Sequence, residues 1–109
     1  MQCFKLEEMI KGWVVGKFTP SVLEADFEVG VQTHEKGYVS PLHLHKKFKE
    51  INVIVSGSMT VNGRELKDGD IFVFDIMEVS EAEFHEDTTL VVIRPGSDPN
   101  DKYNVELSQ

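Results

Sequence analysis

The sequence alternates apolar and polar residues at period two over most of its length, and turn residues interrupt this alternation every several positions. Successive side chains of a strand point to opposite faces, so the pattern predicts short strands with two chemically different faces. In the segment FEVGVQT it places Phe27, Val29 and Val31 together on one face. Seven or eight such strands in 109 residues indicate an all-β sandwich or small barrel.

Turn and helix signals agree with this class. Asn62-Gly63 lies between two short strands and predicts a type I′ hairpin, because both residues tolerate positive φ. Helix is scarce, since only KLEEMIKG (5–12) has apolar residues at helical spacing, and it predicts one N-terminal turn or no helix. Pro95 is expected to end the last strand, with a tail after it.

The length of the chain sets its domain organisation. A chain of 109 residues is long enough to bury a core and too short for two domains. We expect a lead-in at residues 1–25 that packs on the barrel, the barrel itself at 26–95, and a C-terminal tail at 96–109.

Charge and cysteine content exclude several classes of partner. The net charge of −8 provides no basic surface to neutralise phosphates, so nucleic acid is not expected as a partner. Cys3 is the only cysteine, which rules out an intramolecular disulfide and favours a cytoplasmic location. No apolar run approaches the ~20 residues of a membrane span, and we expect no membrane partner.

The stretch GYVSPLHLHKKFKEINVIVSG (37–57) carries the candidate site. Residues two apart on a strand share a face, so His43 and His45 point the same way. Glu50 begins the next apolar strand, and a neighbouring strand lies only ~5 Å away. Two imidazoles and one carboxylate on one side of an ion suit a divalent transition metal such as Fe, Mn, Ni or Zn. The spacing therefore predicts a metal site with open positions for a small molecule.

Simpler interpretations stay open beside this one. Glu50 is also placed to pair with Lys46 or Lys47 at the edge of a pocket. His34 lies in the turn THEKG and is interpreted as an ordinary surface side chain. The parity of the strand after Glu50 predicts that Asn52 and Ile54 share its face, so both are candidates for the lining of a substrate pocket.

The same stretch resembles a known family. The stretch resembles the first conserved motif of the cupin superfamily and matches it at every fixed position. The matching residues are Gly37, His43, His45, Glu50 and Gly57. Gly69 is similar to the glycine that opens the second motif, and the resemblance covers about residues 26–95. It implies a cupin jelly roll, a double-stranded β-helix of two antiparallel sheets with its site in the wide mouth.

The second motif departs from the family pattern. The position of the family's histidine, its fourth metal ligand, is Ser80 here, which makes Ser80 a candidate pocket residue. His85 is the nearest histidine, but on an unbroken strand it faces away from Ser80. Only a β-bulge in EVSEAEFH would return it to the site.

Three functions follow from the resemblance, because one barrel supports many. The first is a metal-binding cupin, for which the resemblance implies an enzyme of the oxygenase, decarboxylase or isomerase type, that binds or transforms a small molecule. The second is a metal-free sugar-nucleotide isomerase or epimerase, in which His43 or His45 is the catalytic base. The phosphates of a sugar-nucleotide substrate would need basic side chains. The only basic cluster available is Lys46, Lys47, Lys49 and Arg64. The third is a non-catalytic ligand-binding module.

A homodimer is expected from the exposed edges of a small jelly roll. The segments VVGKF (14–18) and FEVGV (27–31) are the candidate edges that would pair with the sheet of a partner.

Overall fold

The computed structural model describes residues 1–106, so the last three residues of the predicted tail lie outside the described part. The described chain forms ten strands, and the shortest of them have two or three residues, which explains why alternation predicted fewer. They are β1 (Trp13–Val15), β2 (Glu28–His34), β3 (His43–Leu44), β4 (Glu50–Ser56), β5 (Ser58–Val61), β6 (Arg64–Lys67), β7 (Ile71–Phe74), β8 (Ala82–Phe84), β9 (Thr88–Arg94) and β10 (Tyr103–Asn104).

Two groups of antiparallel strands form the walls of the barrel. The larger sheet has five strands in the order β1-β2-β9-β4-β7. The smaller wall combines the order β6-β5-β8 with the pair β10-β3. A single bridge between His43 and Ser80 links β3 to the segment before β8. This arrangement of crossing connections is the double-stranded β-helix that was expected.

The hydrophobic core fills the space between the walls. Its buried members from the larger sheet are Ile54, Phe74, Leu90 and Val92. The smaller wall contributes Met59, Val61, Ala82 and Phe84. Every second residue of β9 is buried, which is the period expected for a strand with one face inside the barrel.

The β5–β6 hairpin matches the sequence-based expectation. Asn62 has φ 47° and Gly63 has φ 78°, both in the left-handed region that a type I′ turn requires. The β5–β6 register runs without a shift from Ser58 opposite Lys67 to Val61 opposite Arg64.

The strand β2 turns the face with Glu28 and Gly30 toward the interior, not the face with the apolar side chains. The apolar set starts at Phe27, which is 40% exposed, whereas Glu28 on the opposite face is 1% exposed. Parity alone grouped these side chains correctly but did not decide which group enters the barrel. The same strand lies between β1 and β9, so FEVGV is not a free edge and that part of the dimer expectation is wrong.

The ends of the described chain cover the barrel. Two short 3₁₀ turns, Leu6–Glu8 and Ile10–Gly12, replace the predicted N-terminal turn. After β9 the chain returns and β10 pairs with β3, with Asn104 opposite His43. Within residues 1–106 no helix has the length and apolarity needed to cross a membrane.

Candidate functional site

A cleft of about 1320 Å³ opens into the barrel. Its polar lining includes His43, Glu50, Asn52, Ser80 and Arg94. Its apolar lining includes Met59, Phe72, Phe74, Ala82, Phe84 and Leu90. A concave site with apolar walls and a few converging polar groups is the common form of a small-molecule site.

His43 and Ser80 are paired neighbours on one wall of this cleft. The Ser80 amide donates a hydrogen bond to the His43 carbonyl oxygen at 2.7 Å, so the two residues lie side by side on adjacent backbone segments. Ser80 is only 4% exposed, and it stands where the family resemblance places its histidine. The described structure therefore presents a hydroxyl at that position.

The imidazole of His43 has a defined orientation. Its Nδ1 lies 2.9 Å from the carbonyl oxygen of Pro41. A carbonyl only accepts, so Nδ1 donates and carries the proton. In the neutral ring the Nε2 atom then holds the free lone pair. His43 is half-buried and lines the cleft, so this ring is placed to contact a ligand.

Glu50 is buried at the start of β4 and uses both carboxylate oxygens. Its Oε1 accepts a hydrogen bond from Asn52 Nδ2 at 3.2 Å. Its Oε2 accepts from Arg94 Nη2 at 2.7 Å and from Arg94 Nε at 3.0 Å. The pairing with Lys46 or Lys47 that the sequence left open is replaced by this buried ion pair.

Arg94 is a side chain of the cleft lining that sequence analysis missed. It ends β9, directly opposite Glu28 on β2, and its Nη1 donates to Glu28 Oε1 at 3.1 Å. Ser97 Oγ donates to the other oxygen of Glu28 at 2.9 Å. One available signal was parity, because Arg94 follows Leu90 and Val92 on the buried face of the strand. An ionised side chain on such a face requires a partner.

His45 lies behind the cleft lining at 3% exposure. Burial is the main cause that lowers the pKa of His45, the nearby Glu50 carboxylate opposes this, and Arg94 lowers it further. The neutral imidazole accepts a hydrogen bond from Arg94 Nη2, with 3.0 Å between that atom and Nε2. The 3.5 Å contact between His45 Nε2 and Glu50 Oε2 is therefore not a full ion pair.

The predicted metal ligands do not fit a metal ion as they are arranged. Among residues 1–106, no group of three or more His, Cys, Asp or Glu side chains has the geometry to hold one. The rings of His43 and His45 are 5.4 Å apart and nearly perpendicular. The ligand atoms of His45 and Glu50 that would face the ion are both hydrogen-bonded to Arg94. The metal hypothesis stays a prediction from the sequence.

Three further residues from the sequence analysis have clear positions. Asn52 is 3% exposed and lines the cleft beside Glu50. Ile54 is 1% exposed and belongs to the hydrophobic core below. His85 is exposed on the outside of the barrel, where its Nε2 lies 2.6 Å from Thr60 Oγ1. The strand β8 pairs with β5 without a register shift, so the bulge that would return His85 to the site is not formed.

His34 is not the ordinary surface side chain that its turn suggested. It ends β2, is half-buried, and lines the cleft. Its ring stacks on Phe84 with centroids 4.4 Å apart and on Tyr38 with centroids 5.5 Å apart. Burial, with a smaller contribution from the charge of Lys102, lowers the pKa of His34. The stack forms an aromatic wall.

The basic cluster expected for a nucleotide is engaged elsewhere. Lys46 lies 4.1 Å above the ring of Tyr103, Lys47 pairs with Asp98, and Lys49 pairs with Asp75 at 3.4 Å. Arg64 begins β6 on the other wall. All four lie outside the cleft lining. This geometry does not favour the sugar-nucleotide hypothesis.

No protein-family model and no curated protein matches this sequence. Solved structures do. A double-stranded β-helix domain protein from Klebsiella pneumoniae is 22% identical, over 97% of this chain and 93% of that one, with a TM-score of 0.66. KdgF from a Halomonas species is 25% identical, over 64% of this chain and 70% of that one, with a TM-score of 0.57.

A cupin-2 domain protein from Shewanella frigidimarina is 16% identical, over 64% of this chain and 71% of that one, with a TM-score of 0.54. These likenesses show the fold that the motif resemblance implied. What the cleft does is a question for its own residues.

Proposed function

We propose that this small single-domain cupin binds a small organic molecule in its barrel cleft and that His43 exchanges a proton with it. The observation that carries the proposal is the orientation of His43. Its Nδ1 is held by the Pro41 carbonyl at 2.9 Å, and the ring lines the cleft. An imidazole held at one nitrogen, with the lone pair of the other available, is the usual form of a general base.

His45 is the less suitable base of the two predicted catalytic histidines. Its Nε2 already accepts from Arg94 at 3.0 Å, and its side chain lies behind the cleft lining. We assign it to the support of Arg94 and Glu50. Ser80, beside His43, is the residue best placed to hydrogen-bond the same ligand.

The charges below the cleft indicate the class of ligand. Glu28 and Glu50 are two buried carboxylates, and Arg94 is the one buried cation that they share. At this buried end of the cleft an anionic ligand group would approach an excess of negative charge, which is unfavourable, because the lysines of the cleft lining, Lys5, Lys11 and Lys102, are all exposed. We therefore propose a ligand whose polar end is a hydroxyl or carbonyl group and whose body contacts the apolar walls.

Proton exchange in deuterated water tests this function directly. Dihydroxyacetone is a small neutral ketone, and removal of its carbon-bound proton is followed by incorporation of deuterium, which proton NMR measures. We expect the wild-type protein to accelerate this exchange. In His43→Ala the acceleration should be at least tenfold smaller than in wild type. His85→Ala, which changes an exposed histidine on the outer wall, is the matched control.

The result separates a catalyst from a binding module. Saturation-transfer NMR with neutral sugars and ketoses, and with keto acids of matched size, reports binding without turnover. If neutral ligands bind to the wild-type protein, but their protons exchange no faster with it than with His43→Ala, the protein is a non-catalytic binding protein. Binding of the acids alone would contradict the proposed ligand class.

A homodimer is the second part of the proposal. The outer face of the larger sheet carries two cross-strand rows of apolar residues. One row is Val29, Ile93, Ile51 and Val73, and the other is Val31, Val91, Val53 and Ile71. Ile71 is 63% exposed and Val73 is 51% exposed. A contiguous apolar surface of this kind is typical of a protein interface, and we propose that a second copy covers it. The cytoplasmic location stays a prediction.

A further inference from the structure

The position between His45 and Glu50 is already taken by a cation. Arg94 Nη2 lies 3.0 Å from His45 Nε2 and 2.7 Å from Glu50 Oε2. A histidine nitrogen and a carboxylate oxygen that face a common point are the atoms with which a divalent metal would be held. We propose that Arg94 permanently occupies the place of that metal, so that the site works without one.

The guanidinium is anchored on its other sides as well. Its Nη1 donates to Glu28 Oε1 at 3.1 Å, and Glu28 is only 1% exposed. Glu28 is held in turn by Ser97 at 2.9 Å. The ring of Trp13 lies 4.7 Å from the guanidinium carbon, within the range of a cation–π contact. Movement of Arg94 out of the site would leave Glu28 buried and without its cation, which is costly.

A metal and this guanidinium exclude each other by charge and by space. Arginine stays protonated in proteins, so it cannot yield its charge to an incoming ion. Metal-to-ligand distances of ~2 Å to His45 Nε2 and Glu50 Oε2 would place the ion against Arg94 Nη2. Two positive centres so close in a buried site repel strongly.

The hydrogen-bonding capacity of the network is used without a metal. Within residues 1–106, no buried side-chain nitrogen or oxygen lacks a hydrogen-bond partner. Glu50 Oε1 is satisfied by Asn52 at 3.2 Å, and Oε2 is satisfied by Arg94. A metal would therefore have to break existing contacts before it could form its own.

Metal titration of the wild-type protein is the decisive measurement. Untagged protein is treated with EDTA, returned to chelator-free buffer, and titrated with Zn²⁺, Ni²⁺, Mn²⁺ and anaerobic Fe²⁺ by calorimetry, with Tm recorded for each. We expect no binding of one equivalent and no shift in Tm. One equivalent bound with a micromolar or tighter Kd, and lost in His45→Ala, would overturn the proposal.

Arg94→Ala supplies the complementary result. It leaves His45, Glu50 and Glu28 around a vacated position, so we expect Zn²⁺ or Ni²⁺ to bind at least 100-fold more tightly than to wild type and to raise Tm. Arg94→Lys keeps a cation at this position, so its metal affinity should increase much less. The double variant Arg94→Ala/Glu50→Gln should lose the increase in metal affinity that Arg94→Ala alone produces. If Arg94→Ala folds and gains no affinity, Arg94 is not what excludes the metal and the proposal fails.

Folding of the variant does not limit the test. If Arg94→Ala is unfolded without metal, refolding with and without Zn²⁺ gives the same readout, and recovery with metal supports the inference. If the variant refolds under neither condition, the wild-type titration decides: the absence of bound metal supports the inference, and one bound equivalent overturns it. The inference is independent of proton exchange by His43, so either proposal can fail while the other holds.

Discussion

The inner and outer faces of the larger sheet each depart in part from the pattern expected of a small barrel. At its open end the inner face carries charge, with Glu28 at 1% and Arg94 at 9% exposure. The outer face carries apolar side chains, of which Ile71 is 63% exposed. Buried charge is costly unless paired, and exposed apolar surface is costly unless covered. This difference is explained if, as we propose, the sheet binds a ligand on one face and a second copy on the other.

The largest effect is expected from removal of the buried cation. Arg94→Met leaves Glu28 and Glu50 buried with no positive partner, so we expect the free energy of unfolding to fall by about 3–5 kcal/mol. Urea unfolding in the presence of EDTA measures it. Arg64→Met, at an exposed arginine of β6, is the control and should change stability by about 0.5 kcal/mol or less. Equal losses in the two variants would show that the buried position of Arg94 carries no special share of the stability.

A smaller effect is expected where the inner face makes room for Trp13. A Cβ atom at Gly30 would lie 2.8 Å from the indole ring, which is too close, so the ring must move. We expect Gly30→Ala to cost about 1–3 kcal/mol and to shift the fluorescence of Trp13, the only tryptophan. A variant with unchanged emission and stability would show that the indole does not need this space.

The outer face is tested by charge at Val73. Val73→Lys should leave the free energy of monomer unfolding within about 0.5 kcal/mol, because the side chain is 51% exposed. It should weaken dimerisation at least tenfold, which is about 1.4 kcal/mol. Sedimentation velocity should give a wild-type species of twice 12.4 kDa.

Val39 offers the matched position for this test. It is 59% exposed on the smaller wall, so Val39→Lys makes the same chemical change away from the proposed interface. We expect this variant to remain a dimer. A monomeric wild type, or equal weakening by both substitutions, would contradict the assignment of the outer face.

The smallest effect is expected from the protonation of His34. Burial lowers the pKa of His34 below its usual 6.5, so the unfolded chain binds more protons than the folded one as the pH falls. Stability from this group is present above about pH 6.5 and is lost as the pH falls toward the folded pKa. Urea unfolding near pH 7.5 and near pH 5.5 should therefore show a smaller pH dependence in His34→Gln than in wild type. An identical dependence would mean that the aromatic wall does not affect this imidazole.

Parts of the site could be predicted because they lie close together in the chain. His43, His45 and Glu50 are separated by a few residues, so strand parity and one short connection bring them to the same end of the barrel. Arg94 could not be placed in this way. It lies 44 residues from Glu50 and 66 from Glu28, and only the order of the strands brings the three together.

The amino-acid sequence by itself determined the strand periodicity, the hairpin at Asn62-Gly63 and the motif that resembles a cupin, since all of these are local patterns. The tertiary structure decided which face of each strand is inside, because parity gives two equivalent choices that only packing between the walls resolves. It also decided that a guanidinium stands between His45 and Glu50. That choice depends on β9 lying between β2 and β4, a long-range contact that no local pattern encodes.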